Sequence, residues 1–111
     1  MKTYQIKITG PAVDDIADLR RYITSELMEP GSALRVYEAV KKAILSLDEM
    51  SERHAVIQEP PYTELSVHRM YVENYTVFYI ADTQQMRVTI LRVLYSRRDW
   101  KRILDGKEET K

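Results

Sequence analysis

Two runs near the C-terminal end, Tyr75-Thr-Val-Phe-Tyr-Ile-Ala81 and Val88-Thr-Ile-Leu-Arg-Val-Leu94, are apolar at both odd and even positions and are separated by the polar stretch Asp82-Thr-Gln-Gln85. Strands alternate side chains between two faces, so a run apolar on both parities must be covered on both sides. These two runs are therefore expected as the central strands of one sheet, and everything else in a chain of 111 residues has to cover or flank them. Leu65 to Val72 supplies a further strand, joined to the first run through a tight Val72-Glu-Asn74 turn, which completes an antiparallel meander with Arg87 to Tyr95 as its last member.

The N-terminal half provides the cover. Tyr4, Ile6 and Ile8 alternate with Gln5, Lys7 and Thr9, the pattern of a half-buried strand, and Gly10-Pro11 ends it. Ala12, Ile16, Leu19, Ile23 and Leu27 then recur at helical spacing, with Asp14, Asp15 and Asp18 early and Arg20 and Arg21 later, the polarity that a helix dipole favours. Glu29-Pro30-Gly31 closes this helix, and Ser32 is placed to cap a second one with Val36, Val40, Ile44 and Leu47 as its stripe. A helical hairpin results. Residues 51–63 contain Pro60-Pro61 and show no period, so they form the longest loop. The expected fold is α+β, a single small domain over 1–111 in the order β-α-α-β-β-β-α, with a curved antiparallel sheet and a helical hairpin packed on one face.

The last strand ends at a polar corner, Tyr95-Ser-Arg-Arg-Asp-Trp100. Ser96 and Asp99 stand three apart, the spacing of a capping box, which predicts a short helix from Arg97 to about Leu104. Two cations in a first helical turn oppose the macrodipole, and an anionic partner removes that conflict. Charge concentrates at the same place. The formal net charge is zero, yet between residues 87 and 102 Arg87, Arg92, Arg97, Arg98, Lys101 and Arg102 face a single acid, Asp99. A phosphate needs such a patch locally, while overall neutrality weakens long-range steering.

Composition excludes several alternatives. No apolar run is long enough to span a bilayer and the N-terminus lacks the apolar segment of a signal peptide, so a cytoplasmic protein without a membrane partner is expected. There is no cysteine, and His54 and His68 are far apart in sequence, so neither a metal nor another cofactor is expected.

The order of elements, the run Asn74-Tyr-Thr-Val-Phe-Tyr79 and the ending Arg92-Val-Leu-Tyr-Ser-Arg-Arg-Asp-Trp100 resemble the RelE/ParE superfamily of toxins from bacterial type II toxin–antitoxin modules. The likeness extends from Tyr4 to Leu104, and its specific part is the last strand with the Arg-Arg-Asp-aromatic corner. It implies a cognate antitoxin as partner, a largely disordered segment that folds around the toxin and covers its basic face. It also implies a target, and here the family divides. RelE-like members cleave messenger RNA on the ribosome, acting as mRNA interferases, and ParE-like members, associated with plasmid stabilisation, poison DNA gyrase. The expected activity is ribosome-dependent mRNA cleavage, with a gyrase inhibitor without catalytic chemistry, or a degenerate member that only binds antitoxin or DNA, as the alternatives.

Metal-free RNA cleavage requires a base near the 2′-hydroxyl, cations on the scissile phosphate and an acid for the leaving oxygen. The resemblance places Arg69, Tyr95, Arg97 and Arg98 in the catalytic set, with Tyr71, Arg92 and Lys101 binding substrate. The match is partial. RelE-like nucleases usually place a phosphate-binding arginine directly after the tyrosine that opens the middle strand, where this chain has Thr76, and some carry a catalytic histidine at the position of Tyr95. A tyrosine, with a free pKa of about 10, is a weak base at neutral pH, although it can donate a proton or stack on a base.

Each residue also has a plainer reading. Tyr75 and Tyr79 suit core packing, and Tyr71 and Tyr95, at strand ends, suit either packing or contact. Arg92, inside an apolar strand, is costly unless paired with an acid such as Glu73 or turned to an open face. His68 beside Arg69 is either a general base or an exposed side chain on an edge strand. Lys101 and Arg102 suit a solvated helix face. Trp100, Ile103 and Leu104 form a stripe that docks the last helix; in the family such a helix can also move when antitoxin binds.

Overall fold

The computed structural model describes residues 3–25, 30–50 and 54–105; the side chains of 22–25, 30–33 and 50 also lie outside the description. The elements are β1 (Gln5–Ile8), α1 (Gly10–Ser25), α2 (Pro30–Leu45), a short α3 (Leu47–Met50), β2 (Val67–Val72), β3 (Tyr75–Asp82), β4 (Arg87–Tyr95) and α4 (Trp100–Leu104). The expected contributions of the Ile23 side chain and of Leu27 to the first stripe fall outside the description. Pro30 already opens α2, so Ser32 lies within that helix rather than before it.

The sheet has the order β1-β4-β3-β2. As expected, β2, β3 and β4 form an antiparallel meander with β3 and β4 inside. The first strand departs from the antiparallel expectation: β1 adds to the far edge parallel to β4, pairing Gln5 with Arg87 through Ile8 with Ile90, so the sheet is mixed. The physical reason is the crossover. The α1–α2 hairpin carries the chain across one face, and the meander returns β4 beside β1 in the same direction.

Both faces of β3 and β4 are covered. On the hairpin face, Ala12 and Leu19 of α1 and Val40 and Ile44 of α2 pack with Val77, Tyr79, Val88, Ile90 and Val93. On the opposite face, Phe78, Leu94 and Val67 pack with Ile57, Tyr62 and Ile103, flanked by Ile80, Leu91, Trp100 and Leu104. Ile90 and Val93 reach the same face at an odd spacing because the β3–β4 register slips between Phe78 and Tyr79: Phe78 pairs with Arg92, Tyr79 with Ile90, and Leu91 is the extra residue. A one-residue bulge reverses the parity beyond it, which is why β4 looks apolar on both parities.

The ends of these elements are tied by specific bonds. The Thr9 hydroxyl accepts the Ala12 amide at 3.3 Å, capping α1, and lies 2.9 Å from the Ile90 carbonyl, to which it donates. At the other edge, the Ile57 amide donates to Val67 and the Arg69 amide to Ala55, each at 2.9 Å, so the loop lines the edge of β2. That pairing buries His68, which stacks on Tyr79 with ring centroids 4.9 Å apart. His68 is therefore core, contrary to its reading as an exposed side chain, because the loop supplies the cover that an edge strand normally lacks.

The C-terminal corner also differs from expectation. α4 begins at Trp100 rather than Arg97, with Asp99 at the N-cap and no side-chain capping bond. Ser96 does not cap the helix: its amide donates to the Asn74 carbonyl at 2.9 Å and its hydroxyl lies 2.8 Å from that of Thr76. Having bonded back to the β2–β3 end of the sheet, Ser96 prolongs the strand pairing by one residue. Arg97 and Arg98 thus occupy a turn, closed by the Arg98 amide on the Tyr95 carbonyl at 2.9 Å, and the conflict with a helix dipole does not arise.

A cationic corner on the second face of the sheet

The pleat sorts the sequence-derived candidates. On β2, Arg69 pairs with Phe78 and Tyr71 with Thr76, and Phe78 belongs to the second face. Tyr95 pairs instead with Tyr75, whose ring packs on the hairpin-face core, and the two tyrosines meet edge-on at 5.7 Å. A shared register means a shared face, so Tyr95 stands across the sheet from Arg69 and Tyr71. The expected catalytic set is split.

Arg92 is engaged elsewhere. Its Nε and Nη2 donate to the two carboxylate oxygens of Asp15 in α1 at 2.7 and 2.8 Å. The acid is Asp15 rather than Glu73, which instead accepts from Arg35 at 3.0 Å. A bidentate pair with a carboxylate that is 8% exposed gives Arg92 the structural role among its alternatives. Sequence reasoning missed this partner because the two residues are 77 apart and Asp15 has a sufficient local explanation in the helix dipole.

What remains on the second face is a compact corner. Trp100 lies at its centre, with the Arg69 guanidinium 5.3 Å and the Lys101 ammonium 5.7 Å from its ring centroid. Tyr62 and Phe78 hold the same indole, each at 5.5 Å. Lys101 also pairs with Glu59 at 2.8 Å, both half-exposed. The Tyr62 hydroxyl donates to the Asp105 carboxylate just past α4, and burial, followed by that bond and the nearby Asp105 and Glu59 charges, raises its pKa to about 12. Tyr62 is thereby locked as a neutral donor. Arg97, Arg98 and Arg102, which flank Trp100 in sequence, are exposed, and Tyr71 is 66% exposed.

Chemically, the corner offers several guanidinium and ammonium groups and an aromatic ring open to solvent. That combination suits a phosphate backbone or an acidic protein segment. The histidine nearest in sequence, His68, does not join Arg69 and Tyr71: it is buried on the hairpin side against Tyr79, with Nδ1 3.0 Å from the Ser66 carbonyl. Among the described residues, no cluster of three or more His, Cys, Asp or Glu side chains is placed to hold a metal ion, and no helix is long and apolar enough to cross a membrane.

Comparison with known proteins agrees with this architecture. Similar solved structures include the chromosomal ParDE system of P. aeruginosa, at 17% identity over 84% of this chain and 96% of that one with a TM-score of 0.62. A toxin–antitoxin complex, RelBE2 of Mycobacterium tuberculosis, gives the same TM-score of 0.62 at 19% identity, covering 84% and 98% of the two chains. A mutant E. coli RelE toxin in the free state aligns over 95% of this chain and 93% of its own, at 13% identity and a TM-score of 0.59. These likenesses establish the fold. No curated protein matches the sequence. The family model for the ParE toxin of the type II toxin–antitoxin system parDE matches residues 6–100, from β1 to the start of α4, and the chain belongs to that toxin family.

Proposed function

We propose that this toxin arrests growth by binding DNA gyrase through the corner formed by Arg69, Tyr71, Arg97, Arg98 and Lys101, without chemistry of its own, and that a cognate antitoxin neutralises it by covering that corner. One observation carries the reading: Arg69, Lys101 and Tyr71 lie on the second face while Tyr95 and His68, the two side chains that resemblance or imidazole chemistry would nominate for proton transfer, belong to the other. A site that holds anions with its candidate bases on the far side of the sheet is suited to association rather than to acid–base catalysis. An antitoxin partner is supported by neighbours solved as RelBE2 and RelBE complexes.

A second reading retains support from the cations themselves. Arg69 and the exposed Arg97-Arg98 turn have the charge needed to hold a scissile phosphate, with Tyr71 to stack on a base, as in ribosome-dependent mRNA cleavage and the inhibition of translation that results. Purified protein added to DNA gyrase and relaxed plasmid separates the two. Loss of supercoiling, with intact mRNA 5′ ends in a reconstituted translation reaction, supports the gyrase reading. New 5′ ends at the decoding site, absent with the Arg97→Ala/Arg98→Ala variant, establish the nuclease instead.

A further inference from the structure

β1 stops at Ile8, opposite Ile90, but β4 continues to Tyr95. Beyond this point the chain turns away into α1: the Thr9 amide bonds to the Ile90 carbonyl at 3.1 Å, and the Thr9 hydroxyl lies 3.1 Å from that of Leu91. Among the described residues, the C-terminal half of β4 therefore has no strand beside it on that edge. Asp15, one and a half turns into α1, stands there instead. Its Oδ2 accepts the Val93 amide at 2.9 Å and the Arg92 Nε at 2.7 Å, and its Oδ1 accepts the Arg92 Nη2 at 2.8 Å.

Three features thus coincide: the bulge at Leu91, the part-buried ion pair of Arg92 and the edge amide of Val93. Bulges re-aim the residues after them, and the segment next in the chain is the Tyr95–Asp99 turn with Arg97 and Arg98. A carboxylate is the group this geometry needs, because its two oxygens accept from a guanidinium fork and an amide together; an Asn amide would set its own NH₂ against one of those donors. We infer that Asp15 is a positioning residue, a side-chain substitute for the missing strand that fixes the bulged end of β4 and thereby the placement of the Arg97-Arg98 turn. The functional part of this inference rests on the proposed role of that turn in target binding.

The test uses three forms of the full chain. Asp15→Leu/Arg92→Met replaces the ion pair with apolar side chains, a change that folded proteins often tolerate; Asp15→Asn is nearly isosteric; Arg97→Ala/Arg98→Ala removes the turn's cations and leaves its support intact. Amide hydrogen exchange is read at Ser96 and Arg98, whose amides bond to Asn74 and Tyr95, with Tyr79 as the core reference, and gyrase inhibition is titrated alongside. The expected result is faster exchange at Ser96 and Arg98 in both Asp15 variants, unchanged exchange at Tyr79, and about a tenfold rise in the toxin concentration needed for half-inhibition. Exchange and inhibition both unchanged in both Asp15 variants would overturn the inference. If wild type inhibits and Arg97→Ala/Arg98→Ala inhibits equally well, the binding role of the turn fails, while the exchange data still decide whether Asp15 fixes it.

Discussion

The two faces of the sheet are built differently. The hairpin face is closed by two long helices whose Ala12, Leu19, Val40 and Ile44 meet Val77, Tyr79, Val88 and Ile90, all nearly or fully buried. The second face is closed by a loop and a five-residue helix, held by an indole between rings and cations, one phenol-to-carboxylate bond and a half-exposed ion pair. The larger share of the buried apolar core lies on the first face. The second combines a smaller apolar cluster with these polar contacts, and the exposed Arg97, Arg98 and Arg102 flank the start of its helix in sequence. The contrast reflects area: apolar burial scales with the surface removed from water, and a helix of one turn and a half removes little.

Substitutions should separate the faces. Tyr79→Ala, at a fully buried ring that also carries His68, is expected to cost about 3–5 kcal/mol in chemical denaturation, the largest effect in the molecule. Asp15→Ala leaves the Arg92 guanidinium and the Val93 amide without this acceptor and should cost about 3 kcal/mol, within the range for breaking one side of a buried pair. Trp100→Ala, only partly buried, should cost about 2 kcal/mol and release α4, read as faster proteolysis beyond Tyr95. Arg97→Ala/Arg98→Ala should leave the melting temperature within about 2 °C, since exposed surface changes are usually small, while growth arrest on expression is lost. If that variant instead unfolds, the division between a stabilising and a binding face is wrong.

The smallest expected effect concerns pH. Tyr62 ionises near pH 10 in the unfolded chain and near 12 in the folded one, so its contribution is complete below pH 10 and falls away as pH rises toward 12. Tyr62→Phe, which lacks that group, should start less stable by about 1 kcal/mol, the worth of one hydrogen bond, and lose less stability between pH 10 and 12 than wild type does. Parallel denaturation curves for the two proteins across that window would show that burial and the bond to Asp105 do not raise the Tyr62 pKa.

Local pattern was enough for the elements. Alternation found β1 and the meander, helical spacing found Ala12, Leu19, Val40 and Ile44, and runs apolar on both parities marked β3 and β4 as central. Each of these signals depends on neighbours a few residues apart, where backbone geometry dictates which side chains share a face. The cationic corner was legible for a related reason: Arg97 and Arg98 come directly after a strand end, and Trp100 stands just beyond them.

What sequence pattern could not supply were partnerships between distant residues. Capping-box spacing at Ser96 and Asp99 was outcompeted by Thr76, 20 residues away, which took the serine hydroxyl. The burial of His68 depended on a loop folding along the β2 edge, and the exclusion of Tyr95 from the Arg69 face depended on cross-strand register. The choice of Asp15 over Glu73 for Arg92 depended on where β1 ended and α1 began. The chain by itself determined which segments are helix and strand, where its central strands run and where its cations gather, because those are properties of short stretches of backbone. Only the tertiary structure decided which cations stay exposed to a partner, because a charge is neutralised or left at the surface according to the acid that packing brings against it.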